Sequence, residues 1–248
     1  DELTTQIQVK TSIDWDLEVV DLSSHADPAI SALIWMERAQ LTPFDLYKAP
    51  LFRWTLLKLT NEKYYWFQCV HHLVTDGWGI YQAERSVAKV YSDLKNTKKQ
   101  ELIRGGPANA WRDEVEYLNS KRYQTDKLFW EEKIRFAPTS ESLSKKNADR
   151  EYSSCRITKR LSPAITSNIK EFSKRNGLSL TAILITVSAI YQARLTGQFK
   201  LATGLPVSNR KSIDSLNSID MRSNILVLNL ELEPHWHIFE TVRYVSQK

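Results

Sequence analysis

Apolar and polar positions change their period several times along the chain, and each change predicts an element. Short alternating stretches over 7–13 and 17–22 predict strands. Asp27-Pro28 then opens a helix to about residue 39. Asp27 suits the N-cap there, and proline suits the first helical position, where its missing N–H costs nothing. Residues 52–59 and 64–70 are rich in aromatic and branched side chains and predict two strands joined by a turn at 60–63. Residues 80–94 read as a helix. After a polar loop at 95–107, helical periodicity returns near 108–118 and 121–134.

The stretch 137–154 breaks this pattern. It is rich in Ser, Lys, Asn and Asp, carries Pro138 near its start, and reads as a linker. A strand is predicted over 155–161. Ser162-Pro163 opens the next helix, with Gly177 as its natural C-terminal stop. Residues 180–195 predict a second helix whose apolar positions are Leu180, Ile183, Leu184, Val187, Ile190, Tyr191 and Leu195. Strands are predicted over 200–205 and 225–232, with a polar loop between them, and a last helix over 238–245. Strands and helices alternate irregularly, which argues for an α/β layered sandwich and against a regular doubly wound sheet.

Length and composition narrow the function classes. The chain has 248 residues, 42% of them hydrophobic, ample for a packed core. No apolar run approaches the roughly 18 residues of a membrane span, and nothing near Asp1 resembles a signal peptide. Cys69 and Cys155 both fall in predicted strands; two buried free thiols fit a reducing cytoplasm better than a disulfide framework. No cysteine or histidine spacing suggests a metal. The net charge of +5 is mild for a nucleic-acid binder. Lys95, Lys98, Lys99, Arg104, Lys145 and Lys146 form loop clusters, not one stripe. They read first as solvated loops and second as a docking surface for an acidic partner.

The chemistry concentrates in His71-His72-Leu73-Val74-Thr75-Asp76-Gly77-Trp78-Gly79, on the turn between a predicted strand and a predicted helix. A histidine can act as a general base near neutral pH because its free pKa lies close by. A lone histidine at a strand end is most often a ring satisfied by backbone. Here an aspartate follows four residues after the second histidine, and glycines follow that. Neighbours on an extended segment face opposite ways. If one of His71 and His72 is the candidate base, the other therefore points away from it, as a packed and hydrogen-bonded ring. The glycines permit backbone angles or a close backbone approach that a Cβ would block. Asp76 could orient His72 directly, in the manner of a triad. No GxSxG elbow surrounds Ser208, and Cys69 lies within a strand, so nothing suggests a covalent acyl-enzyme.

The motif resembles the HHxxxDG signature of condensation domains of nonribosomal peptide synthetases, with every fixed position present. Ala49-Pro50-Leu51-Phe52-Arg53 resembles that family's GPLxR block, with alanine for glycine. Phe129-Trp130-Glu131 resembles its YW helix. Gly204 to Arg210 and Asn224 to Leu228 resemble its G-x-P-x-x-x-R and N-x-x-P-L blocks, with Val227 in place of the proline. The resemblance runs from about Ile7 to the end of the chain. It implies a two-layer fold like chloramphenicol acetyltransferase, with residues 1–136 as an N-terminal lobe, 137–154 as a linker and 155–248 as part of a C-terminal lobe. The family's RHExLRTxF block would precede Asp1, and its QDxPFE and SRNP blocks would follow Lys248, so the chain is expected to be truncated at both ends.

The resemblance also assigns roles. His72 takes a proton from the attacking nucleophile or positions it. Asp76 pairs with Arg210 from the second lobe. Gly77 lends a backbone N–H, or clearance, near a thioester carbonyl. Trp78 is wall or core, and Asn224 is a candidate tunnel residue. The implied partners are donor and acceptor carrier domains, which present 4′-phosphopantetheine, and an adjacent adenylation domain. No metal, nucleotide, nucleic acid or membrane is implied, and the location is cytoplasmic. Epimerisation domains usually replace the glycine, and heterocyclisation domains replace the histidines, whereas both are kept here. Residues 66–74 resemble starter condensation domains. Two alternatives stand beside amide-bond formation: a stand-alone HxxxD acyltransferase using coenzyme A thioesters, and a carrier-binding fragment without turnover.

Overall fold

A computed structural model describes residues 10, 12–96, 107–139, 143 and 157–248. In chain order the elements are β1 (Glu18–Asp21), α1 (Pro28–Leu41), β2 (Phe52–Lys58), β3 (Tyr64–Val70), α2 (Gly77–Lys95), α3 (Pro107–Leu118), α4 (Lys121–Arg135), α5 (Pro163–Asn176), α6 (Leu180–Thr196), β4 (Lys200–Val207), α7 (Ile213–Leu216), β5 (Asn224–Glu231) and α8 (Ile238–Ser246). They group into two compact units. The first holds Asp1–Leu118 and Ser208–Ser223; the second holds Asn119–Val207 and Asn224–Lys248. This differs from the partition at 1–136, 137–154 and 155–248. Helix α4 joins the second unit, and residues 208–223 leave the second unit to pack in the first. Buried charge, described below, is the reason for that return.

In the first unit β2 is the central strand, parallel to β1 and antiparallel to β3. Alternation sends Leu57 to one face, where it packs with Leu22, Leu59 and Ala32 of α1. Trp35 of α1 meets Phe67 of β3 edge to face. The opposite face carries an aromatic cluster in which Trp54 touches Trp15, Phe52 and Trp66. Helix α1 starts as its sequence dictates: the Asp27 carboxylate accepts from the Ile30 N–H at 3.0 Å, with Pro28 behind it. Arg53 closes its other end by donating to the carbonyls of Ala39 and Thr42, where a cation complements the helix dipole. A cleft of about 380 Å³ lies between this helix and the sheet, lined by Glu18, Arg38, Arg53 and Thr55 among others. Neither histidine of the motif lines it.

In the second unit β4 and β5 form a continuous antiparallel ladder from Lys200↔Glu231 to Val207↔Asn224. Val227 sits in regular ladder pairing opposite Gly204. Helix α5 begins at the Ser162 cap and Pro163 and ends at Gly177, whose left-handed backbone (φ 62°) is the turn a glycine allows most cheaply. Helix α6 has a buried side of Ala182, Ile183, Thr186, Ala189 and Ala193, packed with Leu201, Leu230, Leu232, Val242 and Val245. Of the seven apolar positions read from the sequence, Ile183 is buried and Ile190 packs against this core, while Leu180, Leu184, Val187, Tyr191 and Leu195 are exposed. The helix is apolar on every side, so periodicity does not choose a face, and small side chains bring its backbone close to the sheet.

Other expectations fall differently. Residues 157–161, the described part of the expected strand at 155–161, have no regular structure, and Ile157 and Leu161 are exposed. Residues 10, 12 and 13 are likewise irregular, while the rest of the expected strand at 7–13 lies outside the described residues. So do Cys155, Lys98, Lys99, Arg104, Lys145, Lys146 and most of the expected linker. Cys69 is a free thiol, only partly buried. The short α7, with Ser212 and Ser215 in a reciprocal capping box, was not foreseen.

The packing of α6 makes a direct prediction for this 248-residue chain. Ala193, 1% exposed, faces the core, and Leu184, 56% exposed, does not. Ala193→Leu should cost about 1–3 kcal/mol through overpacking, while Leu184→Ser should fall within about 0.5 kcal/mol of the parent. Urea unfolding of both variants checks this. A larger loss from Leu184→Ser would place Leu184 in the core.

Candidate active site

Strand β3 ends at Val70, and the next residues carry the motif. The His71 N–H bonds the Leu51 carbonyl at 2.9 Å, and the Val74 N–H returns to the His71 carbonyl at 3.1 Å, so the chain turns at once. The His71 ring is half-buried. Its Nδ1 accepts from the Leu73 N–H at 3.2 Å, and its ring meets Phe44 edge to face at 5.9 Å. Phe44 in turn lies under the Arg53 guanidinium at 4.1 Å. An accepting Nδ1 leaves the proton of the neutral ring on Nε2. His72 differs: its ring is exposed and has no hydrogen-bond partner among the described residues. The two adjacent histidines thus have different environments, one ring held by its neighbours at the end of β3 and the other exposed on the turn that follows.

Asp76 does not orient His72. Its Oδ1 accepts from the Gly79 N–H and from Arg210 Nη2, both at 2.9 Å. Its Oδ2 accepts from the backbone N–H groups of Arg222 at 3.0 Å and Ser223 at 2.9 Å. Four donors use the lone-pair capacity of a carboxylate, so the triad reading is excluded. Asp76 is the N-cap of α2, only 2% exposed. Burial pushes its carboxyl upward, but the hydrogen bonds from Gly79, Arg222, Arg210 and Ser223 outweigh that and hold it below the usual carboxylate range.

The partner expected for Asp76 is present: Asp76 and Arg210 make a buried ion pair at 2.9 Å, and both lie in the first compact unit. Arg210 also bonds Asp220 Oδ1 at 2.9 Å, the Asp220 carbonyl at 2.8 Å, the Ser215 carbonyl at 2.6 Å and Ser218 Oγ at 3.0 Å. Asp220 passes the pairing to Arg222 Nε at 3.0 Å, and Arg222 reaches Asp113 of α3 at 2.6 Å. The sequence reading missed Asp220, Arg222 and Asp113. Each is one charge among many in a polar stretch, and no local spacing marks them.

The two glycines have different uses. A Cβ on Gly77 would meet nothing within 4 Å, and its backbone is not left-handed, so neither strain nor crowding demands glycine there. Its place at the first turn of α2 leaves a backbone N–H with no intrahelical partner. Gly79 is the crowded one. A Cβ there would lie 2.1 Å from Thr75 Oγ1 and 3.1 Å from the Asp220 carbonyl oxygen. Trp78 is not core. It is partly exposed, and its indole N–H donates to the Leu216 carbonyl at 2.7 Å, an acceptor shared with Gln82 Nε2 at 2.8 Å. Asn224 is exposed in the second unit, with Oδ1 accepting from the Ile225 N–H at 2.8 Å.

Two outcomes are expected from this geometry. Asp76→Asn should lower unfolding stability at neutral pH by on the order of 3 kcal/mol, the low end for a broken buried pair because Asp220 still faces Arg210. The carboxyl is held lower folded than unfolded, so its contribution is present above the unfolded value of about 4 and is lost as pH falls through the folded value. The gap between parent and variant should therefore close on acidification, and a gap that widens below pH 4 would contradict this sign. Gly79→Ala should cost more stability than Gly77→Ala, since only the first forces Thr75 and the Asp220 backbone aside. Thermal unfolding of the two variants decides it.

A family model for the condensation domain matches residues 1–248. The chain is 31% identical over 241 residues to a dimodular nonribosomal peptide synthase of Bacillus subtilis (strain 168), covering 97% of this chain and 10% of that protein. It is 28% identical to an isonitrile lipopeptide synthase of Streptomyces coeruleorubidus, covering 95% of this chain and 16% of that one. Among solved structures, it is similar to a variant of the starter condensation domain of rhizomide synthetase in complex with C8-CoA, at 27% identity and TM-score 0.84, over 95% of this chain and 54% of that one. It is also similar to the first condensation domain of the calcium-dependent antibiotic synthetase in complex with a substrate analogue, at 27% identity and TM-score 0.77, over 93% and 54%. The chain thus spans a small part of its curated relatives and about half of the solved domains. The turn built by His71, His72 and the capped Asp76 is the HHxxxDG motif in its structural setting, and the chain belongs to the condensation-domain family of nonribosomal peptide synthetases, with its chloramphenicol-acetyltransferase-like α/β fold.

Proposed function

We propose that the chain takes part in amide-bond formation between a carrier-bound acyl or peptidyl thioester and a carrier-bound amino acid. The observation that carries this is the contrast between the two histidines: His71 is held by its neighbours, while the His72 ring is exposed and without a partner among the described residues. The acceptor amine attacks the thioester carbonyl. His72 takes the proton released as the C–N bond forms, or holds the amine in line, and the proton returns to the departing thiolate as the C–S bond breaks. The unpaired N–H at Gly77 is a donor suited to the oxyanion that develops. Asp76 and Arg210 support the turn and take no part in the chemistry. Trp78 and Asn224 are candidate walls for the substrate.

The thioester arms are 4′-phosphopantetheine groups carried by donor and acceptor carrier domains, with an adenylation domain adjacent in a cytoplasmic synthetase. Similarity to a starter domain crystallised with C8-CoA supports the starter subtype, in which the donor is an acyl group. The same similarity keeps a second reading in view, acyl transfer directly from a coenzyme A thioester.

The test is turnover by the complete polypeptide that carries this chain, with carriers loaded. His72→Ala should lower the rate by about 10²–10⁴ while leaving carrier loading and folding intact. Near-full turnover by this variant with a poorly nucleophilic acceptor would remove the chemical role of His72. Free coenzyme A thioesters that work as well as loaded carriers would favour the second reading.

A further inference from the structure

Asp220 has no place in the family motif and no role yet, but it is among the most enclosed side chains in the first unit, 1% exposed. Its Oδ1 accepts from Arg210 Nη1 and from Ser218 Oγ, both at 2.9 Å, and its Oδ2 accepts from Arg222 Nε at 3.0 Å. Its own carbonyl accepts from Arg210 Nη2 at 2.8 Å, the same nitrogen that donates to Asp76. Among the described residues it is the carboxylate bonded to both guanidinium groups. Its backbone N and O also press on the first turn of α2, 3.3 and 3.1 Å from where a Cβ on Gly79 would stand. Two residues later the Arg222 N–H reaches Asp76. Asp220 therefore touches the histidine-bearing turn's support by three routes: through Arg210, through the Gly79 contact, and through the backbone that follows it.

Arg210 needs this hold. Its Nε is buried without a partner, so its orientation rests on what its two terminal nitrogens meet. Asp76 accepts from one of them alone. The other is fixed by Asp220 and by its neighbours Ser215 and Ser218. Moving the Asp220 carboxylate displaces an acceptor on Nη1, and the rigid guanidinium carries that shift to Nη2 and so to Asp76.

We propose that Asp220 is a positioning residue for the condensation reaction: it fixes Arg210 and the first turn of α2, and through Asp76 it sets the placement of His72. This rests on the reading of His72 given above. The requirement is for an oxygen at a set position more than for a charge. Two variants separate these. Asp220→Asn keeps an acceptor for Arg210 and gives up the charge and the bond to Arg222. Asp220→Glu keeps the charge and moves the carboxylate by one methylene.

The experiment measures kcat and KM for a loaded acceptor carrier, in the complete polypeptide, well below each variant's melting temperature. His72→Ala and Arg222→Ala are run beside them. Asp220→Glu should lose about ten- to hundred-fold in kcat with KM unchanged, the cost of a misplacement remote from the bond being made. Asp220→Asn should keep most of the parental kcat, and Arg222→Ala should do the same. Parental kcat in Asp220→Glu, or a loss in Asp220→Asn as large as in Asp220→Glu, would overturn the proposal. So would an effect confined to KM or to melting temperature. If those results come with an inactive His72→Ala, only the role of Asp220 fails. If His72→Ala turns over near the parental rate, the reading of His72 fails first and the role of Asp220 falls with it.

Discussion

A guanidinium with no exposed side-chain surface organises the first unit. Moving an arginine out of water costs several kcal/mol even after relaxation, and the cost is offset only when nearly every donor finds an acceptor. Arg210 meets that condition with two carboxylates, three backbone carbonyls and a serine hydroxyl. No single secondary structure element could supply this set. One carboxylate comes from the cap of α2 and the other from the segment that follows Arg210 itself. Residues 208–223 must therefore leave the β4–β5 ladder at Val207, close around α2, and return at Asn224. The ladder stays in register across that excursion because its two strands pair over their full length.

The same constraint explains the small residues nearby. For Arg222 and Ser223 to present their N–H groups to Asp76, the backbone at 220 must approach the first turn of α2. A side chain at 79 would hold them apart. Gly79 is thus a packing requirement imposed by buried charge, while Gly77, two residues earlier, faces open space. The close approach of the backbone at 220 requires one glycine and not the other, a distinction that a motif written as letters does not carry.

Much of the fold was legible because its signals are local. Asp27-Pro28 and Ser162-Pro163 cap and start α1 and α5, and Gly177 stops α5, through atoms within a few residues of one another. The aromatic and branched runs of β2 and β3 identify strands without reference to their partners. Failures came where the answer depends on something distant. The face that α6 buries is set by how closely β4, β5 and α8 approach, so the apolar positions alone do not show that Ala182, Ala189 and Ala193 face the core. Residues 157–161 have strand-like composition but no regular pairing. In the site, the histidines, Asp76 and Arg210 were visible through a motif. Asp220, Arg222 and Asp113 were not, because an ion network joins residues more than a hundred positions apart and leaves no period in the sequence.

The division between His71 and His72 follows from the same logic of local and distant causes. After β3 ends at Val70 the backbone turns, and the two histidine rings meet different surroundings. On one side, Phe44 and the Leu73 N–H are already in place, Phe44 itself pinned beneath the Arg53 guanidinium that closes α1. His71 is thereby held by its neighbours. His72 is left with a defined backbone position and an uncommitted ring. A ring already satisfied by protein partners would have to break a hydrogen bond before accepting a proton, and His72 has no such bond among the described residues. Rigidity at the start of α2 comes from Asp76 and the buried arginine, and the His72 side chain takes no part in that network.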